Sequence, residues 1–284
     1  MRPSRPLLLL FSLVFVALFT ATLFLCTTTE KAELDTIEKV IETLKPEDTS
    51  TQLDSLGATV EARFPCPAGY HRATVDQNSF AQYLRDLPLK PHSADVKYYN
   101  GEVKQNYAVY CAVVDMDLDP VDLQQCADAV MRLRGEYLFE QERYADIHFD
   151  FLSDSKPRYF KDYSKGDYSY RSFRKYMKYV FSYANTASLR NELRTRPMMD
   201  MHIGDVLIQK GRPYGHAVIV IDMCVNDDGV QLYMLAQSYM PAQDTQILTN
   251  PTDAGLSPWY TLADGEIRTP EWSFNASDLR YFDN

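Results

Sequence analysis

The sequence contains no Cys-x-x-Cys pair, and its five cysteines fit no zinc-ligand spacing, so neither a structural metal nor a cofactor is expected. Glycine is scarce at 11 of 284 residues, and neither an internal repeat nor a low-complexity tract is found, which excludes collagen-like, repeat and wholly disordered architectures. Positive charge is short as well. Against 39 acidic residues stand 29 Lys and Arg, and the net charge of −10 argues against a general nucleic-acid binder. The local exception, residues 171–178 (RSFRKYMK), carries four basic residues and reads as a solvated helix face.

What is present suffices for a real core. The chain is 45% hydrophobic and rich in tyrosine, with 20 residues, which allows one large or two small domains. Arg2 and Arg5 precede an uncharged apolar run at residues 7–26. A helix needs about 20 such residues to cross a bilayer, and the arginines orient it with the body outside. Residues 1–29 are therefore expected to be an uncleaved signal anchor, ahead of a cleaved signal peptide or a lipoprotein acylated at Cys26. In each case the body is exported to the periplasmic side of the membrane. Residues 30–61 are polar with a helical rhythm and read as a stalk or linker, and residues 62–284 as one α+β globular domain. In an exported body, Cys66, Cys111, Cys126 and Cys224 allow two disulfides, or one disulfide and two free thiols.

Within the domain, Asn78-Ser79 caps a short helix, and residues 107–116 (YAVYCAVVDM) predict a strand. Asp122 and Gln125 predict a capping box for a helix running to about Phe139, with Cys126 in its first or second turn on an apolar stripe. Helices are expected over 172–183 and 186–194, and the tail is expected to wrap the surface. The most informative stretch is 204–243. His216 opens an aliphatic strand, residues 226–229 (NDDG) have hairpin-turn chemistry, and 231–237 return. Pairing Val225 with Val230 across the turn sets His216 opposite Tyr239 and puts Gln237 on the same face.

That placement suggests chemistry. Cys126 is the candidate nucleophile, because a helix amino end and a nearby imidazolium both lower a thiol pKa. On an apolar stripe, however, most cysteines are simply buried. His216 is the candidate base, and Gln237 the group that orients its ring. His71, His92, His148 and His202 have no comparable context and read as surface or structural.

The segments QQCADAVMRLRGEYLF, YANTASLRNEL, GDVLIQ, GHAVIVID, LAQSYMPAQ and SPWY resemble an exported Bacteroidetes-type family, a domain of unknown function (4846), over most of the chain after about Arg63. That resemblance brings no activity with it. More distantly, GD, a short strand, and then a His opening an apolar strand are similar to NlpC/P60-type cysteine peptidases. The latter resemblance implies a papain-like fold, a helix bearing the cysteine packed on an antiparallel sheet, with Cys126 as nucleophile, His216 as base and Gln237 as orienting residue. Two features depart from it. The Asp-Cys-Ser-Gly signature is replaced by Gln125-Cys126-Ala127-Asp128, and a Tyr-rich insertion spans about 140–199. The expected function is an envelope cysteine hydrolase (amidase or peptidase) acting on cell-wall peptides. The alternative is a non-catalytic exported ligand- or glycan-binding module, stacking sugars on Tyr159, Tyr163, Tyr168, Tyr170, Trp259 and Trp272.

Overall fold

The computed structural model describes residues 53–283. Thr59 accepts the Ala62 amide and so caps a one-turn helix, α1 (Val60–Arg63), whose Val60 is already fully buried. Strand β1 (Tyr70–Arg72) leads to α2 (Phe80–Arg85), where Ser79 Oγ accepts the Gln82 amide as the sequence implies. Strand β2 (Tyr110–Val113) is shorter than the apolar run predicts, because Tyr107–Val109 coils into a 3-10 turn. The long helix α3 (Cys126–Glu140) follows. The Tyr-rich insertion folds as the hairpin β3 (His148–Asp150) and β4 (Pro157–Tyr159), then α4 (Phe160–Ser164), α5 (Tyr170–Tyr183) and α6 (Thr186–Glu192).

The remaining strands are β5 (Arg194–Thr195), β6 (Val206–Gln209), β7 (His216–Asn226), β8 (Gln231–Gln237), β9 (Gln246–Leu248), β10 (Tyr260–Thr261), β11 (Glu266–Arg268), β12 (Ser273–Asn275) and β13 (Leu279–Tyr281). All of these but β11 and β12 join β1 and β2 in an antiparallel sheet of order β2-β9-β8-β7-β6-β13-β5, with β1 also on β7 and β10 also on β8, while β11 and β12 pair as a separate two-stranded sheet. The fold is thus α+β on a mostly antiparallel sheet. One face of β7, with Ala217, Ile219, Ile221 and Cys224, buries against Ala127, Val130 and Met131 of α3. The other, with Val218, Val220 and Met223, buries against Tyr233, Leu235, Phe274 and Leu279. Each of the Val, Ile, Leu, Met and Phe side chains among these contributes about 1.5–3 kcal/mol on burial. α3 is covered on nearly all sides, because Phe173, Tyr176 and Met177 of the insertion join the same core.

The tail does not wrap the surface as expected. It sends β13 into the sheet beside β6 and buries Trp259 completely. Asp222, the polar break in the aliphatic strand, is fully buried and forms ion pairs with Arg85 Nε at 2.9 Å and with Arg72. Cys66 and Cys224 form a disulfide, and Cys111 and Cys126 are free thiols, which decides between the pairings the sequence left open. No helix among the described residues is long and apolar enough to cross a membrane. The anchor expected at residues 7–26, the acylation candidate Cys26 and the stalk up to residue 52 lie outside the described residues.

Candidate functional site

Cys126 is the first residue of α3. The Gln125 amide donates to Asp128 Oδ2 at 3.0 Å, so the helix begins three residues later than the Asp122–Gln125 spacing predicts. Asp122 serves another purpose. Its Oδ1 accepts from Gln125 Nε2 at 3.0 Å and from the Ala242 amide at 2.7 Å, tying the helix start to the loop after β8. The later start puts the thiol among first-turn amides that have no intrahelical acceptor.

The thiol meets β7 at its opening residues. Cys126 Sγ lies 3.7 Å from Thr186 Oγ1, at the start of α6, and 4.0 Å from Gly215 O. This approach requires glycine at 215. A Cβ there would collide with the Gln209 carbonyl and lie 3.0 Å from Thr186 Cγ2. Val220 bonds across to β6 through its own amide and carbonyl, so by alternation Gly215 O and Ala217 N point to the β8 side of β7. Strand β8 ends at Gln237 and leaves that side open, and the thiol of Cys126 occupies it. A cleft of about 500 Å³ opens onto this point, bordered by the starts of α3 and α6 and by the 210–215 loop.

His216 is fully buried, its ring packed among Tyr239, Trp272 and Phe274 with centroids 4.7, 5.4 and 5.9 Å away. Its Nε2 is 2.7 Å from Gln237 Oε1, so the two share one face. Its Nδ1 is buried and has no hydrogen-bond partner among the described residues. Among the described residues no hydrogen bond joins Cys126 to His216. Behind Gln237 the chain of contacts continues. Gln237 Nε2 donates to Glu271 Oε2 at 2.7 Å, and the same oxygen accepts from Lys104 Nζ at 2.8 Å.

The electrostatics correct one expectation. The reading from sequence has the helix end and an imidazolium lowering the thiol pKa, but burial dominates and pushes the Cys126 thiol up. The Thr186 hydroxyl and the Ala127 and Ala217 amides pull it back only in part, while Asp128 adds to the rise. Burial likewise lowers His216 to about 4, with the Gln237 bond opposing and Lys104 reinforcing the shift. At neutral pH the resting pair is therefore a thiol and a neutral imidazole. Asp128, also on the cleft, is pushed up to about 8 by burial, and its Oδ1 has no hydrogen-bond partner among the described residues. Cys111 is a half-buried thiol against Ile247 O at 3.6 Å, pushed up to about 12 by burial.

Of the sequence-derived candidates, His216 and Gln237 are in direct contact, and Cys126 touches the backbone beside His216. Thr186, Asp128, Lys104 and Glu271 are additions. Lys104 lies in a loop and Glu271 in the tail, and neither carries a local signal. Of the aromatic residues expected to stack sugars, Trp259 is buried with Nε1 donating to Pro65 O, and Trp272 packs on His216. Tyr163, Tyr168 and Tyr170 are exposed at 40%, 42% and 49%.

Residues 60–281 match the family model described as a domain of unknown function (4846), and the chain belongs to that family. No curated protein and no solved structure matches it.

Proposed function

We propose that this protein is an exported cysteine hydrolase, an amidase or peptidase on a papain-like, NlpC/P60-like scaffold, with cell-wall peptides as its substrate class. The observation that carries this reading is the contact of His216 Nε2 with Gln237 Oε1 at 2.7 Å. A carbonyl oxygen only accepts, so Nε2 carries the proton and the Nδ1 lone pair is free to act as a base.

In the proposed reaction a substrate carbonyl enters the cleft beside Cys126. The thiol proton passes to His216 Nδ1 as sulfur bonds to the carbonyl carbon. Amides of the first turn of α3 stabilise the oxyanion. The carbon–nitrogen or carbon–oxygen bond then breaks, and the leaving group takes the proton from Nδ1. Water attacks the thioester, its proton returns through Nδ1 to sulfur, and the acid leaves. A neutral resting pair makes His216 a general base, a role worth about 10²–10⁴ in rate. His216 Nδ1 makes no hydrogen bond among the described residues, so the reading requires thiol and ring to come together when substrate binds.

The Cys66–Cys224 disulfide supports export, since such bonds persist outside the reducing cytosol. Membrane attachment through residues 7–26 completes the proposed placement, with no nucleic-acid partner. The exposed Tyr163, Tyr168 and Tyr170 favour a second reading, a glycan-binding module. Incubating the full chain with amide and ester substrates, cell-wall muropeptides among them, separates the two. Turnover abolished by Cys126→Ala supports the hydrolase. Turnover that survives this change overturns it, and so does binding lost in Tyr163→Ala or Tyr168→Ala with no turnover in any form.

A further inference from the structure

We infer that Glu271, held by Lys104, is a positioning residue that selects the protonated nitrogen of His216 by locking the orientation of the Gln237 amide. The inference rests on the hydrolase reading for its purpose, but not for its test. A glutamine between two partners can point its oxygen or its nitrogen at either of them, and the two orientations are nearly isosteric. Here only one is chemically allowed. Glu271 Oε2, already accepting from Lys104 Nζ at 2.8 Å, can only accept from Gln237 as well. Gln237 must therefore turn its amide nitrogen to Glu271, at 2.7 Å, and its oxygen to His216, also at 2.7 Å. The proton of the ring is then fixed on Nε2, and the lone pair on Nδ1.

Lys104 is 3% exposed, an uncommon position for a lysine, and its ammonium is hydrogen-bonded to Glu271. Burying an ion pair seldom stabilises a fold more than an apolar pair would, and orientation is one thing it can supply. If Glu271 were uncharged and able to donate, the amide could flip. Its nitrogen would then face Nε2, the ring proton would move to Nδ1, and the free lone pair at Nδ1 would be lost. The ion pair thus performs through an amide what a carboxylate does when it binds an imidazole directly.

The test is nitrogen-15 NMR of histidine-labelled full chain, which reads the tautomer of His216 without reference to activity. Wild type should show a single form protonated at Nε2. Glu271→Gln, which can donate as well as accept, should lose that single form. Lys104→Met removes the ammonium that holds Glu271 Oε2 in place and carries the same expectation, so the test survives failure of either variant to fold. A wild-type ring protonated at Nδ1, or an Nε2-protonated ring unchanged in both variants, overturns the inference. The second of these outcomes leaves the hydrolase reading standing, whereas that reading fails separately if turnover ignores Cys126→Ala.

Discussion

His216 and Gln237 meet because Ile221 has no partner on β8. Next to the turn, Val225 pairs with Gln231 and Asp222 with Met234. Beyond the bulge, Val220 pairs with Leu235 and Ile219 with Ala236. The extra residue on β7 changes the pairing by one, and in a pleated sheet one residue exchanges the faces. Without it, Gln237 would lie on the opposite face from His216. The contact it creates should be measurable. Gln237→Leu leaves the buried Nε2–H without an acceptor, at a cost of about 1–3 kcal/mol. The urea midpoint at pH 7 should fall accordingly, and the His216 pKa should drop further, because the Gln237 bond raises it. An unchanged midpoint and titration would rule the contact out.

The depressed pKa of His216 also makes a pH signature. Its folded value of about 4 lies below the 6.5 of the free side chain, so the unfolded chain binds more protons between these limits. The contribution of His216 to stability is complete above pH 6.5 and declines as pH falls to 4, by about 3 kcal/mol in all. His216→Gln does not titrate. The stability difference between wild type and this variant should therefore shrink over that window in denaturant titrations, and a flat difference would contradict a buried neutral ring.

Asp128 acts with the opposite sign. Its folded pKa of about 8 lies above the ordinary 3.8, so the stability it confers is present at low pH and is lost as pH rises toward 8. Asp128→Asn can still accept the Gln125 amide, and it has no charge to bury. Its melting temperature should exceed that of wild type at pH 8, with the gap narrowing as pH falls and closing only near the unfolded value of 3.8. Because Asp128 raises the Cys126 thiol, the variant should also alkylate faster at pH 8. A gap independent of pH would show that Asp128 is not protonated on folding.

The hairpin was legible because a long aliphatic strand ending in a turn rich in Asn, Asp and Gly leaves little choice of element. Its register was less so. Pairing Val225 with Val230 misplaces the turn by one residue: Asn226 bonds Val230 around a loop closed by Gly229 at φ 79°. The bulge at Ile221 cancels that slip, and the side chains of His216 and Gln237 still share a face. A bulge has no signal in apolar alternation when the strand is buried on both sides, as β7 is. The start of α3 was legible only to within a turn, since Asp122 and Gln125 both carry cap chemistry and tertiary contacts to Ala242 decide between them. The environment of the thiol was not legible at all. Its pKa depends on how completely α6 and the 210–215 loop cover it, which is a property of packing across 60 to 90 residues of chain.

The central claim is that His216 serves as the base for Cys126, and the alkylation rate of that thiol tests it most directly. Iodoacetamide at pH 7, with modified peptides counted by mass spectrometry, gives the rate at Cys126 relative to Cys111, the other free thiol among the described residues. His216→Ala should slow Cys126 by about 10² or more relative to Cys111, the lower end of what a positioned base contributes. A ratio unchanged by the substitution would contradict the account.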